Sequence, residues 1–104
     1  MTRTRICRLV DLPESGGLKV EIASTPVAVF RVGDDAYALA DRCSHAEASL
    51  SEGEVFGLEV ECPRHGAVFD LATGEALTLP ATKPVAVYRT LVEDGDVFVL
   101  AEAD

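Results

Sequence analysis

Residues 18–41 read LKVEIASTPVAVFRVGDDAYALAD, and this stretch sets the fold class. LKVEIAS, PVAVFRV and YALAD are short apolar runs rich in Val and bounded by turn residues, which is the pattern of β-strands. Gly33, Asp34 and Asp35 lie between the second and third runs and signal a hairpin. The same texture extends both ways. RICRLV opens the chain as a strand and DLPESGG follows as a loop. Downstream, EVFGLEVEC reads as two short strands bent at Gly57, and GAVFDLATGEAL as a hairpin turning at Thr73 and Gly74. VAVYRTLV and DVFVLAE form a last hairpin across Glu93, Asp94, Gly95 and Asp96. Only AEASLSEG could hold a helical turn. The expected fold is all-β, an antiparallel sandwich or small barrel in a single domain over residues 1–104. A smaller subdomain is expected as an insertion at about residues 41–82.

The whole chain has 104 residues, enough for one domain and one modest core. Hydrophobic residues make up 48%, which excludes a disordered chain. The formal charge of −9 argues against nucleic acid as a partner, because phosphate backbones require a basic face. It suits docking on a basic protein surface. The N-terminal stretch MTRTRICRLVDLPESGG has arginines but no apolar run of signal-peptide length. No segment approaches the roughly 18–20 apolar residues of a membrane span. A cytoplasmic protein without a membrane partner is expected. Three cysteines make no disulfide framework, so thiols here point to metal binding or catalysis.

The chain has only two histidines, and each stands beside a cysteine. DRCSHAEASL carries Cys43 and His45; ECPRHGAVFD carries Cys62 and His65. Both pairs fall in connections between strands. Thiolate and neutral imidazole are good ligands for zinc, copper and iron. A nucleophilic Cys–His pair would leave the second pair without a task. Structural zinc accepts two cysteines and two histidines, but its usual spacing groups like with like. A [2Fe–2S] cluster with two cysteines on one iron and two histidines on the other asks for one of each from each loop. Cys7 lies on the first strand, away from both pairs, and reads as a small apolar residue.

These two stretches resemble the binding motif of Rieske [2Fe–2S] proteins. The resemblance runs from Cys62 through Pro63, Arg64, His65, Gly66, Ala67, Val68, Phe69 and Asp70, then Thr73, Gly74, Pro80 and Ala81. It implies one cluster per chain, with Cys43 and Cys62 on the inner iron and His45 and His65 on the exposed one. It also implies backbone donors to the cluster sulfurs, close backbone approach at Gly66, and shielding by PATKP over residues 80–84. Respiratory members of the family carry an extra, disulfide-forming cysteine in each loop; here those positions are Ala48 and Arg64. Respiratory members place a serine and a tyrosine where this chain has Ala67 and Phe69, so two hydroxyl donors are missing. Fewer donors leave the added electron less stabilised. The potential is therefore expected near the lower end of the roughly −150 to +300 mV that such centres span.

A small, low-potential member resembles the ferredoxin component of ring-hydroxylating dioxygenase systems. That implies a one-electron carrier between a flavoprotein reductase and a terminal oxygenase, monomeric, not itself an enzyme. Glu47, Glu52, Glu54, Glu59 and Glu61 would steer transient docking, and Arg42 and Arg64 flank ligands. An oxygenase in its own right would need a further site of two histidines and a carboxylate, and both histidines are committed. The remaining alternatives are a similar ferredoxin serving nitrite reduction or iron–sulfur cluster assembly, and a zinc-stabilised structural module.

Overall fold

The computed structural model describes residues 2–13, 16–22, 24–41, 49–63, 66–78 and 83–101. Nine strands run through them: β1 (Thr2–Arg8), β2 (Leu18–Ile22), β3 (Thr25–Val32), β4 (Asp35–Ala40), β5 (Glu54–Phe56), β6 (Glu59–Glu61), β7 (Val68–Asp70), β8 (Val87–Glu93) and β9 (Asp96–Ala101). Six of them form one antiparallel sheet in the order β1-β9-β8-β4-β3-β2, and β5-β6-β7 form a second, three-stranded sheet. The all-β antiparallel expectation holds.

The tight turns fall where small or acidic residues allow positive φ. Asp94 and Gly95 join β8 to β9 with φ of 53° and 80°, the signature of a hairpin turn that matches strand twist. Gly33 and Gly57 serve the β3–β4 and β5–β6 connections with φ of 64° and 59°. In the described part of AEASLSEG the expected helical turn is a 3-10 turn over Leu50–Glu52, and a second such turn spans Leu9–Asp11, where the sequence suggests a strand running into a loop. The hairpin expected over GAVFDLATGEAL is also shorter than its sequence suggests. Its second arm is one bridge, Phe69 to Ala76. The Asp70 carboxylate accepts the N–H groups of Ala72 and Thr73 at 2.8 and 3.0 Å, and Gly74 N–H donates to the Asp70 carbonyl at 2.8 Å. Gly74 then accepts from Val85 N–H at 2.9 Å, which binds the turn to the approach of β8, and the ladder stops at its other end, where Val68 N–H donates to the Thr78 hydroxyl at 2.9 Å.

β3 explains how the two sheets share the molecule. Its run Val27-Ala28-Val29-Phe30 is apolar on both faces, and all four residues are buried. Strand residues alternate faces. Val27 and Val29 enter one core with Leu12, Ala36, Ala38, Val97 and Val99. Ala28 and Phe30 enter another with Leu39, Leu50, Val60, Cys62, Ala67, Phe69, Leu71 and Val85. One face of the larger sheet therefore closes on itself, and the other carries the small sheet. Burying one such Val or Phe side chain contributes about 1.5–3 kcal/mol.

Candidate metal centre

Cys62 follows directly on β6, and its position comes from the pleat. Val60 on β6 faces Val55 of β5 and Phe69 of β7 across the ladder. Side chains two apart share a face, so Cys62 falls on the side of Val60. Both are buried, Cys62 at 1% exposure, in the core that Ala67 and Phe69 also enter.

Cys62 and Ala67 extend the β6–β7 ladder by one pair, with Cys62 N–H donating to the Ala67 carbonyl at 2.6 Å. Gly66 N–H donates to the Cys62 carbonyl at 3.1 Å. A short hairpin connection thus leaves from a buried thiol and returns to it. Gly66 has φ of +72°, and among the described residues a Cβ there would meet only Glu61 Oε2, at 3.8 Å. The backbone conformation by itself calls for glycine at this position.

Of the residues expected at the site, the structure places Cys62; Cys43, His45 and His65 lie outside the described residues, as do Arg42, Glu47, Ala48, Arg64, Pro80 and Ala81. Among the described residues no group of three or more His, Cys, Asp or Glu side chains is arranged to hold a metal ion. Ala67 and Phe69 are both fully buried in the cluster of side chains that includes Cys62, so no hydroxyl enters that core from either position.

Two residues that position this region escape a reading of the sequence. Asp41 ends the run YALAD, and its side chain is wholly buried. Its Oδ1 accepts Ser51 N–H at 2.8 Å, its Oδ2 accepts the Ser51 hydroxyl at 3.2 Å, and Lys19 Nζ stands 4.0 Å from Oδ2. Gly53 packs so closely on β6 that a Cβ would collide with the Glu61 carbonyl oxygen, one residue before Cys62. Neither residue has a local signature, because each role depends on a partner about ten residues away.

The outer face of the small sheet is acidic. Register places Glu54 opposite Glu61 and Glu59 opposite Asp70, with Phe56 beside Glu59 and 54% exposed. Like charges directly opposed across strands are destabilising. The arginines of β1 lie on the other sheet, where Arg3 pairs with Glu93 and Arg5 with Asp96, both at 2.9 Å.

Cys7 is half-buried on β1, faces Val97 across the ladder and packs on the core that Val27 and Val29 enter, apart from the core that holds Cys62. Burial pushes its thiol pKa up, helped by the charges of Asp11 and Asp96 and opposed by Arg5. Such a thiol is a poor ligand and a poor nucleophile at neutral pH. Among the described residues no helix is long and apolar enough to cross a membrane.

A family model described as the Rieske [2Fe-2S] domain matches residues 2–89. The 3-phenylpropionate/cinnamic acid dioxygenase ferredoxin subunit of Shigella flexneri is 47% identical over 100 residues, spanning 95% of this chain and 93% of that protein. The ferredoxin of carbazole 1,9a-dioxygenase from Nocardioides aromaticivorans superposes with a TM-score of 0.92 at 35% identity, covering 98% of this chain and 100% of that one. A solved complex of reduced oxygenase and oxidized ferredoxin in carbazole 1,9a-dioxygenase contains a chain that matches at a TM-score of 0.88 and 38% identity, over 98% of this chain and 95% of that one.

Proposed function

Because the chain belongs to the Rieske [2Fe–2S] family, we propose that it carries single electrons from a flavoprotein reductase to the terminal oxygenase of a ring-hydroxylating dioxygenase system. It is an electron-transfer component, not an enzyme in its own right. The observation that carries the proposal is the buried Cys62 thiol at the mouth of a hairpin held by its own backbone, in a chain that matches a dioxygenase ferredoxin subunit along 95% of its length.

The cofactor is a Rieske-type [2Fe–2S] cluster, which supplies one-electron oxidation and reduction when bound. The residues present fit it: a buried thiol is the donor the inner iron requires, and the positive φ of Gly66 turns the backbone beside it. In this proposal Cys43 and Cys62 hold the inner iron, and His45 and His65 hold the outer one and offer the electron a way out at the surface. The cluster-binding unit spans about residues 41–82. Ala67 and Phe69 withhold the hydroxyls that would stabilise the added electron, so the potential lies in the low part of the family range. The protein works as a cytoplasmic monomer.

Docking follows from charge. The chain carries a net charge of −9, and Glu54, Glu59 and Glu61 share one sheet face. Opposed acids cost stability, and a basic partner surface would relieve that cost on contact. The ferredoxin in the carbazole 1,9a-dioxygenase complex is seated on an oxygenase, and the same class of partner is proposed here. The test is stopped-flow reduction by a flavoprotein reductase and reoxidation by a terminal oxygenase, across a range of ionic strength. Transfer should be fast at low salt and slower as salt rises. Charge reversal at Glu54 and Glu59 should cut the low-salt rate by about tenfold. A reduced protein that no oxygenase reoxidises would overturn the proposal.

A further inference from the structure

The buried carboxylate of Asp41 has no part in electron transfer as described so far, and burying it is expensive. An ionised carboxylate removed from water needs hydrogen bonds and an opposite charge to be tolerated. Asp41 has both, from Ser51 and from Lys19, yet Lys19 is 56% exposed and its ammonium is 4.0 Å away. A small apolar residue would end the strand at lower cost.

The bonds that Asp41 makes lie at a telling place in the chain. Its own N–H donates to the Pro26 carbonyl at 3.1 Å, and the preceding Ala40 N–H donates to the Ala86 carbonyl at 2.9 Å, so β4 is held up to Asp41. Ser51, ten residues on, is held from the other side: its carbonyl accepts Gly17 N–H at 2.8 Å, and its neighbour Leu50 is fully buried. The Asp41 carboxylate joins these two fixed points through both of its oxygens. The residues enclosed between them include Cys43 and His45.

We infer that Asp41 is a positioning residue for the cluster: its carboxylate ties together the two ends of the stretch that carries Cys43 and His45 and so sets how those ligands are presented. The inference rests on the proposal that both are ligands.

Two substitutions separate the tie from the charge. Asn at this position keeps an oxygen for Ser51 N–H and an N–H₂ that can donate to the hydroxyl, so Asp41→Asn preserves the tie and removes the charge. Asp41→Ala removes both. In holoprotein, D41N should keep wild-type iron content, wild-type EPR g values and the wild-type visible circular dichroism of the cluster. D41A should shift the g values and the dichroism and lose iron to a ferrous chelator about tenfold faster, the rate equivalent of one or two lost hydrogen bonds. A D41A protein with a lower melting temperature but unchanged g values and iron retention would reduce Asp41 to a structural residue and overturn the inference. So would D41N and D41A that differ from wild type equally. If D41A does not fold, amide hydrogen exchange in wild-type holoprotein decides instead: the tie requires a strongly protected Ser51 N–H, and free exchange there refutes it. A wild type lacking the signal of histidine ligation would remove the ligand assignment and the inference with it. A normal wild type with an indifferent D41A would remove the inference alone.

Discussion

The stretch from Asp41 to Ser51 and the stretch from Cys62 to Ala67 each carry one cysteine and one histidine of the proposed ligand set, but their ends are joined by different means. Among the described residues the second is closed by main chain, through Cys62 N–H on the Ala67 carbonyl and Gly66 N–H on the Cys62 carbonyl. The first is closed by one side chain, Asp41, on the backbone and hydroxyl of Ser51. Length explains the difference. A four-residue connection between paired strands lets the ladder itself continue to the ends. The longer connection runs from the end of β4 to the 3-10 turn at Leu50–Glu52, and there a polar side chain makes the link. Main-chain closure should tolerate most side-chain changes; side-chain closure should be open to substitution at one position.

The largest effect is expected at Gly53, between the Leu50–Glu52 turn and β5, where the chain presses against the strand that delivers Cys62. In Gly53→Ala the new methyl collides with the Glu61 carbonyl oxygen. The backbone must yield, costing about 3 kcal/mol or more, at or beyond the upper end for overpacking. Denaturant melts should show the loss, and holoprotein yield should drop with it. Next comes Gly66→Ala, which tests whether the main-chain closure depends on its one positive φ. The positive φ alone should cost about 1–2 kcal/mol, with cluster retained. A cost near zero would mean that the turn can re-form with ordinary dihedrals.

Ala67→Ser adds a hydroxyl on the main-chain-closed side without touching the closure. A hydrogen bond to a cluster or cysteine sulfur favours the reduced state by about 1 kcal/mol, which for one electron is a rise of about 40 mV. Spectroelectrochemical titration checks this, and a fall or no change would say that the hydroxyl points elsewhere. Ser51→Ala removes the 3.2 Å bond to Asp41 and leaves the 2.8 Å bond from the Ser51 N–H. About 0.5–1.5 kcal/mol should be lost, less than for D41A, in the same melts.

The smallest effect concerns Cys7, the thiol outside both stretches. Its raised pKa means that the folded state holds the proton where the unfolded chain has released it. Stability from this group is therefore fully present below the unfolded thiol pKa and is lost as pH rises from there through the folded value. Alkylation of native protein by iodoacetamide should accordingly be slower than that of a small free thiol throughout the neutral range, and rise only at more alkaline pH.

The same contrast marks what a sequence can disclose. The strands β6 and β7 and the connection between them that carries Cys62 are legible because the period of two and turn residues are local properties. So are Asp94-Gly95 and Gly33, where positive φ demands a particular residue. The second arm after Thr73-Gly74 misleads because nothing in GEALT says that the Thr78 hydroxyl takes Val68 N–H in place of the next backbone carbonyl. Asp41 reads as an ordinary polar end to a strand. Nothing in YALAD says that the carboxylate is buried, since Ser51 and Lys19 come to it only in the folded protein. Gly53 is hidden in the same way behind SLSEG, which shows a turn but not the strand pressing on it. PVAVF displays its apolar character openly, yet its division between two cores appears only once the small sheet lies on the larger one.

The central claim is that one cysteine and one histidine from each stretch hold a single [2Fe–2S] cluster. Low-temperature EPR of the dithionite-reduced protein, with resolved nitrogen couplings, tests it most directly. The account predicts a reduced signal whose average g lies below that of clusters held by four cysteines, with two imidazole nitrogens coupled to the spin. A signal typical of all-cysteine ligation, or a colourless zinc-bearing protein that gives none after anaerobic reconstitution with iron and sulfide, would contradict it.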